Sequence, residues 1–488
     1  MSYFLGIDLG TSSVKTCLID QKGKVLSSFS EPYQISTPNA NWAEQDPDVW
    51  WIATKKTIQG CLAHARTSIE VTGIGLSGQM HGLVMVDKSG EVIRPAIIWC
   101  DQRSQDQINF LYETLPQDIG LETLNAISPG FLLPSLIWVK QHEPIHYERI
   151  DKVMLPKDFI RYRLTNEIGT DTTDGCGTLI FNPSERSWAK GIIRALDLDM
   201  SIFPVCREPY EIAGYVTSRA AKETGLKIKT PVVFGGGDQP MQAVGNGIIS
   251  PGTVSCTIGT GGQLFSPISK PKYDENFRTN TFCHVRNWYL LGANLSAGLS
   301  LKWLMENVIN EPDFTRLNDE VSKIPPGSEK VLYLPYLNGD RTPNMDPKAK
   351  AIFFGLQLKH NRYHLARAVM EGVAFSLRDS LEIFHTLQVP MSKIIASGGI
   401  LRSELWLQIL ADVFQRNIYR NITKEPACLG AAIMAAVGTK KANSLEEAVN
   451  EMVKMDNKSI EPQNENSPIY EEQYMVYRHL YKQNQVLF

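Results

Sequence analysis

Little in this sequence points toward a membrane or a nucleic acid. No run of about 18 apolar residues is unbroken, and that is the length a bilayer-spanning helix needs. Lysine and arginine number 49 against 52 aspartate and glutamate, a formal charge of −3. So even a balance exerts no pull on a polyanion, and the basic residues form neither a cluster nor an RNA-binding signature. The eight cysteines, Cys17, Cys61, Cys100, Cys176, Cys206, Cys256, Cys283 and Cys428, contain no C-x-x-C spacing. They read as reduced, mostly buried thiols of a cytoplasmic protein rather than a disulfide framework. Met1 to Gly10 lacks a basic region and meets Asp8 early, which argues against a secretory leader.

What the chain does have is length. At 488 residues, 43% of them hydrophobic, it exceeds the roughly 250–300 residues at which one core stops growing, so two domains are expected. The opening reads as a three-strand meander over Tyr3–Asp8, Val14–Asp20 and Val25–Phe29, with a glycine turn at Gly10. A helix follows over Val49–Ala65, and a strand over Val71–Leu76. A related pattern returns halfway: a strand at Pro231–Phe234, the turn Gly235–Asp238, a helix over Pro240–Asn246, and a hairpin around Gly259–Gly262. The two Gly-Thr turns, Gly10-Thr11 and Gly259-Thr260, lie about half the chain apart, which suggests an internal duplication of similar α/β domains, 1–247 and 248–488. The last third carries helical spacing over Tyr363–Leu387, Ser403–Phe414 and Glu425–Val437, with a final helix from about Tyr470 to Gln483.

Two motifs mislead. Gly73-Ile-Gly-Leu-Ser-Gly78 matches G-x-G-x-x-G, but a β-rich stretch follows it instead of the helix whose N-terminus would hold a pyrophosphate. His142-Glu-Pro-Ile-His146 matches H-E-x-x-H, but Pro144 breaks the helix that would place both histidines on one face.

Phosphoryl transfer needs donors around the phosphates, a metal to neutralise charge, and a base near the acceptor hydroxyl. Tight glycine turns let successive N–H groups point at one anion. Asp8-Leu-Gly-Thr11-Ser12 and Ile258-Gly259-Thr260-Gly261 are two such turns with added hydroxyls, one from each half, and together they could clamp a triphosphate. Asp238 follows three glycines, and Pro240 places Asp238 or Gln239 near a helix N-cap, where an ionised carboxylate is favoured and can act as general base.

On these motifs the chain resembles the FGGY family of carbohydrate kinases, within the actin/hexokinase/Hsp70-like ATPases, over nearly its whole length. Gly6–Lys15 resembles the family's first phosphate motif, Gly259-Thr260-Gly261 the second, and Ser397-Gly398-Gly399 with Ser403 and Trp406 the adenosine motif. The branch that phosphorylates D-xylulose carries the most similar patterns: Ser77–Gly82, Gly235–Asp238, Pro335–Pro343 and Phe353–Leu356. The resemblance implies two ribonuclease H-like domains, each a mixed sheet flanked by helices, with ATP in the cleft and Mg²⁺ as cofactor. It implies that Asp238 is the base and that Asp8 positions Mg²⁺. Met80, His81, Gln239 and Trp99 would meet the sugar. Thr11, Ser12, Gly259, Thr260, Gly298, Gly399 and Ser403 would meet the nucleotide. Two departures stand out: Gln239 occupies a place usually held by asparagine, and Gly261 one often held by serine. Ribulose, gluconate and glycerol remain alternative acceptors, although Met80-His81 differs from the Arg-Glu of glycerol kinases. A protein-binding actin-like or Hsp70-like ATPase would need a partner domain, and a sugar sensor an effector module; neither is visible. A homodimer is compatible with the sequence.

Overall fold

The computed structural model describes residues 1–65, 69–115, 119–456 and 458–488. The chain forms two compact units. The first comprises Met1–Ile249, Phe282–Trp288 and Thr423–Lys454; the second comprises Ser250–Thr281, Tyr289–Ile422 and Met455–Phe488. Among the described residues no helix is long and apolar enough to cross a membrane.

In the first unit the sheet runs Ile212–Tyr215, Pro231–Val233, Gly73–Gly78, Tyr3–Leu9, Ser13–Asp20, Val25–Pro32. Tyr3–Leu9 and Ser13–Asp20 form an antiparallel hairpin, and Gly73–Gly78 lies parallel on the far side of the first strand. The second unit repeats the plan. Gly252–Ile258 and Gly262–Ile268 form the hairpin, and Met391–Gly398 lies parallel beyond it, followed by Ile418–Arg420, also parallel. Crossovers that return a strand parallel demand an intervening connection, and helices supply much of it. Helix Pro47–Ala63 buries Trp50, Ala53, Ile58 and Cys61 on the first sheet. The 25-residue helix Arg362–Thr386 runs through the second unit. There Phe375 packs against Tyr470, Tyr474 and Tyr477 of the last helix, Ser467–Asn484.

The division at residue 247 assigns Thr423–Lys454 to the second half, whereas the chain returns there to the first unit. Side-chain size is the reason. Helix Pro426–Gly438 is built largely of alanine and glycine, and it meets glycines on the elements it covers. A Cβ on Gly6 would stand 1.9 Å from the Cys428 carbonyl oxygen, and one on Gly75 1.8 Å from that of Ala431. On its other side a Cβ on Gly245 would stand 1.9 Å from the Pro426 oxygen, and one on Gly430 1.9 Å from that of Met241. Backbone therefore rests on backbone, and no alternative partner of ordinary residues would accept this helix so closely.

Gly75→Ala is expected to lower stability by about 1–3 kcal/mol or more, because the helix must move to admit a methyl group. Gly259→Ala, at a position with nothing within 4 Å of its Cβ, should leave the melting temperature unchanged. Thermal denaturation of the pair checks the contrast; equal melting temperatures would contradict the packing argument.

Candidate active site

Strand register brings the expected carboxylates toward one another. Ser77 is the parallel partner of Asp8 on one side and of Gly236 on the other. Asp238 lies two residues beyond Gly236, so one central strand sets both acids. The Ser77 hydroxyl donates to Asp8 Oδ1 at 2.8 Å. Burial raises the Asp8 carboxyl above its ordinary range, while the Ser77 bond and the Lys15 ammonium oppose the rise. Lys15 itself is paired with Glu425 at 2.8 Å. Asp238 is pushed up to about 7, first by burial and then by the charge of Asp8, with the Gln239 N–H pulling the other way at 2.7 Å. The helix begins earlier than Pro240 suggests: Gly237 is the N-cap, Asp238 is the first residue of Asp238–Gly245, and Pro240 is third. Gly237 is extended (φ −58°, ψ 155°), so the turn into helix is made at the carboxylate itself.

Met80 and His81 adjoin this loop. A Cβ on Gly237 would lie 2.7 Å from Met80 Cγ, so glycine is what lets the thioether sit over the residue before Asp238. His81 holds a positive φ of 72°. Its Nδ1 donates to the Gly177 carbonyl at 2.6 Å. The ring packs 4.1 Å from that of Phe131. Trp99 is 41% exposed, which excludes core packing, and its indole N–H donates to the Thr11 hydroxyl at 2.9 Å.

The turn Gly10–Ser12 has all three carbonyls engaged: Gly10 by the Tyr33 hydroxyl at 2.5 Å, Thr11 by Gln45 at 2.7 Å, Ser12 by the Tyr33 N–H at 3.0 Å. Among the described residues no hydrogen bond takes the N–H of Thr11 or Ser12. In the second unit the turn is built alike. The Gly259 carbonyl accepts from Gly298 N–H and that of Thr260 from Ala297 and Leu299, each at 3.0 Å, again with no described partner for the N–H of Thr260 or Gly261. Turns whose oxygens are tied back and whose N–H groups point out are anion cradles. Gly298 needs its lack of side chain, since a Cβ would stand 2.3 Å from the Gly259 oxygen.

Gly259, Thr260, Gly298 and Gly399 line one cavity of about 590 Å³ in the second unit, with Leu301, Phe314 and Trp406 as apolar wall and Lys302 and Arg402 as cations. Ser403 is not part of this wall. It is fully buried, caps helix Glu404–Phe414 by accepting from Trp406 N–H at 3.0 Å, and donates to Asn318 at 2.6 Å. A serine before Glu-Leu-Trp carries the N-cap signal, and that local demand claims its hydroxyl. Lys302, one helical turn after Gly298, is the cavity residue whose spacing could have been read in advance.

Both misleading motifs resolve as expected. Gly73–Gly78 is strand throughout. Helix Leu132–His142 stops at Glu143, and His146 pairs with Glu143 Oε2 at 2.9 Å instead of sharing a face with His142.

The N-terminal domain model of the FGGY family of carbohydrate kinases matches residues 3–245, and its C-terminal domain model matches residues 254–439. The chain belongs to the FGGY family of carbohydrate kinases. It is 38% identical to a xylulose kinase of Staphylococcus epidermidis over 99% of this chain and 97% of that one. A solved "xyloylose kinase" from Brucella ovis superimposes with a TM-score of 0.94 at 32% identity, covering 100% of both chains. A gluconate kinase from Lactobacillus acidophilus also reaches 0.94, at 24% identity over 99% of this chain and 98% of that one. This FGGY kinase thus has the two-domain, actin/hexokinase-like α/β fold.

Behind the Asp238 loop lies an ion cluster that sequence reading missed. Lys157 Nζ meets Asp158 at 2.6 Å, Asp171 at 2.7 Å and Asp174 at 3.1 Å, all with fully buried side chains. Arg161 joins Asp158 at 2.6 Å. Two cations face three carboxylates, and burial, reinforced by Asp171 and Asp158, pushes Asp174 well above the usual range. Lys157→Met would strand the carboxylates, so stability at neutral pH should fall by about 3–5 kcal/mol. Because burial raises the Asp174 carboxyl and the Lys157 ammonium opposes that rise, the loss should shrink as pH is lowered and Asp174 protonates. Denaturant unfolding at several pH values measures it; a pH-independent loss would contradict the charge argument.

Proposed function

We propose that this FGGY kinase transfers the γ-phosphoryl group of ATP to D-xylulose, yielding D-xylulose 5-phosphate. The full-length relationship to a xylulose kinase carries the choice of sugar, and the 24% identical gluconate kinase with the same fold shows why fold alone does not make it. Phe131, Met80 and His81 next to the Asp238 loop support the first unit as the sugar side. The glycine-lined cavity, with its cations and apolar wall, supports the second as the nucleotide side.

In this reading Asp238 takes the proton from the terminal hydroxyl of the sugar, and that oxygen attacks the γ-phosphorus. A base is most effective when its pKa lies near the working pH, and burial beside Asp8 supplies that for Asp238 at about 7. Met80 and His81 orient the acceptor, the His81 tautomer being set by Gly177. Each unit's glycine turn offers N–H groups suited to phosphate oxygens, those of Thr11 and Ser12 in the first and those of Thr260 and Gly261 in the second. Mg²⁺ fits here, since Asp8 offers carboxylate oxygens, its like charge already repels that of Asp238, and magnesium is commonly held by one or two carboxylates with its remaining sites on water and phosphate. Asp8 would hold it, and it would neutralise charge on the phosphates. Eight free cysteines support a reducing, cytoplasmic setting.

In a coupled ADP-release assay across ketoses, polyols and aldonates, D-xylulose should give the highest kcat/KM. A preference for gluconate or glycerol would overturn the choice of sugar.

Asp238→Asn keeps the size of the side chain but cannot take a proton. It should reduce kcat by about 10²–10⁴-fold while ATP binding and melting temperature persist. In the wild type, kcat/KM should rise with pH and level off above about 7, because the base is active only when deprotonated. Retention of more than about a tenth of kcat in the variant would remove Asp238 from the role of base.

A further inference from the structure

The loop that delivers Asp238 offers few ways to hold it. Gly235, Gly236 and Gly237 have no side chains, and Gly235 has a positive φ of 74°. Its pairing with the sheet, Gly236 beside Ser77 and Gly237 beside Gly78, is only two residues long. Three consecutive glycines carry the largest backbone entropy of any such run, so something outside the loop must fix it.

Among the described residues, one side chain hydrogen-bonds to its backbone. The Gly237 N–H donates to the hydroxyl of Thr173 at 3.0 Å, and a Cβ on Gly236 would stand 2.8 Å from that same oxygen. The hydroxyl donates in turn to Asp171 Oδ1 at 2.5 Å, which also accepts the Thr173 N–H at 2.8 Å. The other Asp171 oxygen faces Lys157 at 2.7 Å. Lys157 is itself wedged on the strand that pairs with the loop, its Cβ 2.9 Å from where a Cβ on Gly78 would be. Thr173, Asp171 and Lys157 are all fully buried.

An ion pair from Lys157 to Asp171, continued by hydrogen bonds through Thr173, thus reaches the backbone immediately before Asp238. The threonine hydroxyl has one proton and gives it to Asp171, so its lone pairs are turned to Gly237 N–H. The carboxylate dictates the polarity of that hydroxyl, and a buried carboxylate acceptor makes the bond charge-assisted and short.

We infer that Thr173 is a positioning residue for the phosphoryl-transfer step, its hydroxyl fixing the glycine loop so that the carboxylate of Asp238 is held in place. This rests on the assignment of Asp238 as base. Thr173 touches neither sugar nor nucleotide in this role; it acts through Gly237.

Thr173→Val preserves shape and removes the acceptor for Gly237. It should lower kcat by roughly 10–100-fold, the scale on which a misplaced catalytic group costs rate, with KM for sugar and affinity for ATP within about twofold of wild type, small on that scale. Thr173→Ser restores the hydroxyl and should recover most of kcat. A full kcat in Thr173→Val, or an equal loss in the serine variant, would overturn the inference. Should the valine variant fail to fold, amide exchange at Gly237 in the intact wild-type enzyme decides instead: slow exchange is expected, and exchange as fast as an exposed loop would overturn it. Asp238→Asn run in parallel separates the two claims. If that variant keeps its activity, the base assignment fails, whereas an inactive Asp238→Asn beside a fully active Thr173→Val rejects Thr173 alone.

Discussion

Backbone-to-backbone contact around helix Pro426–Gly438 is the constraint from which the first unit takes its shape. The helix meets the strand of Asp8 at Gly6, the strand of Ser77 at Gly75, and the helix of Asp238 at Gly245 and at its own Gly430. Each contact is possible only where a side chain is missing. Dispersion between closely packed atoms is small per pair and large in sum, and here it is gained by main chain, whose position varies least. Asp8 and Asp238 arise from distant parts of the sequence, yet both are carried by elements pressed against this one helix. Its first residue follows Glu425, which pairs with Lys15, so the helix start is also tied to the strand after Asp8.

Within that frame the chemistry comes from crowding like charges and then restraining them. Asp8 is eased by a hydroxyl and a lysine, whereas among the described residues Asp238 has one backbone N–H to offset its burial and the neighbouring charge. Their environments differ enough to give two identical side chains different proton affinities. The Lys157 cluster serves a different end. It is farther from solvent, has nearly balanced charge, and passes its rigidity to the glycine loop through Asp171 and Thr173. Buried ion clusters add little net stability on their own, so a fixed geometry is the more economical account of this one.

The two glycine turns show how one plan, used in both units, diverges in detail. Both tie back their carbonyls and present N–H groups, but Gly10–Ser12 uses the side chains of Tyr33 and Gln45 for this, whereas Gly259–Gly261 uses the backbone of Ala297–Leu299. The first solution leaves a hydroxyl, Thr11, in contact with an exposed indole. The second places a helix N-terminus, Gly298–Asn307, beside the turn, where its dipole favours an anion.

Read by itself, the amino-acid order determined the strand–turn–strand openings, the two glycine turns, the candidate acids Asp8 and Asp238, and the rejection of both misleading motifs. Those are local matters: glycine and proline act on the residues beside them, and alternation or helical spacing is visible within a dozen positions. Tertiary structure alone decided the rest. It returned Thr423–Lys454 to the first unit, because close packing between glycines depends on which surfaces meet. It kept Ser403 out of the glycine-lined cavity of the second unit, because a helix N-terminus claimed its hydroxyl first. It gathered Lys157, Asp158, Asp171 and Asp174 behind the Asp238 loop, and it set Thr173 against Gly237, 64 residues away in sequence. No periodicity encodes such pairs, since the charge or hydroxyl that satisfies a buried group is chosen by three-dimensional proximity and by the cost of leaving that group unpaired.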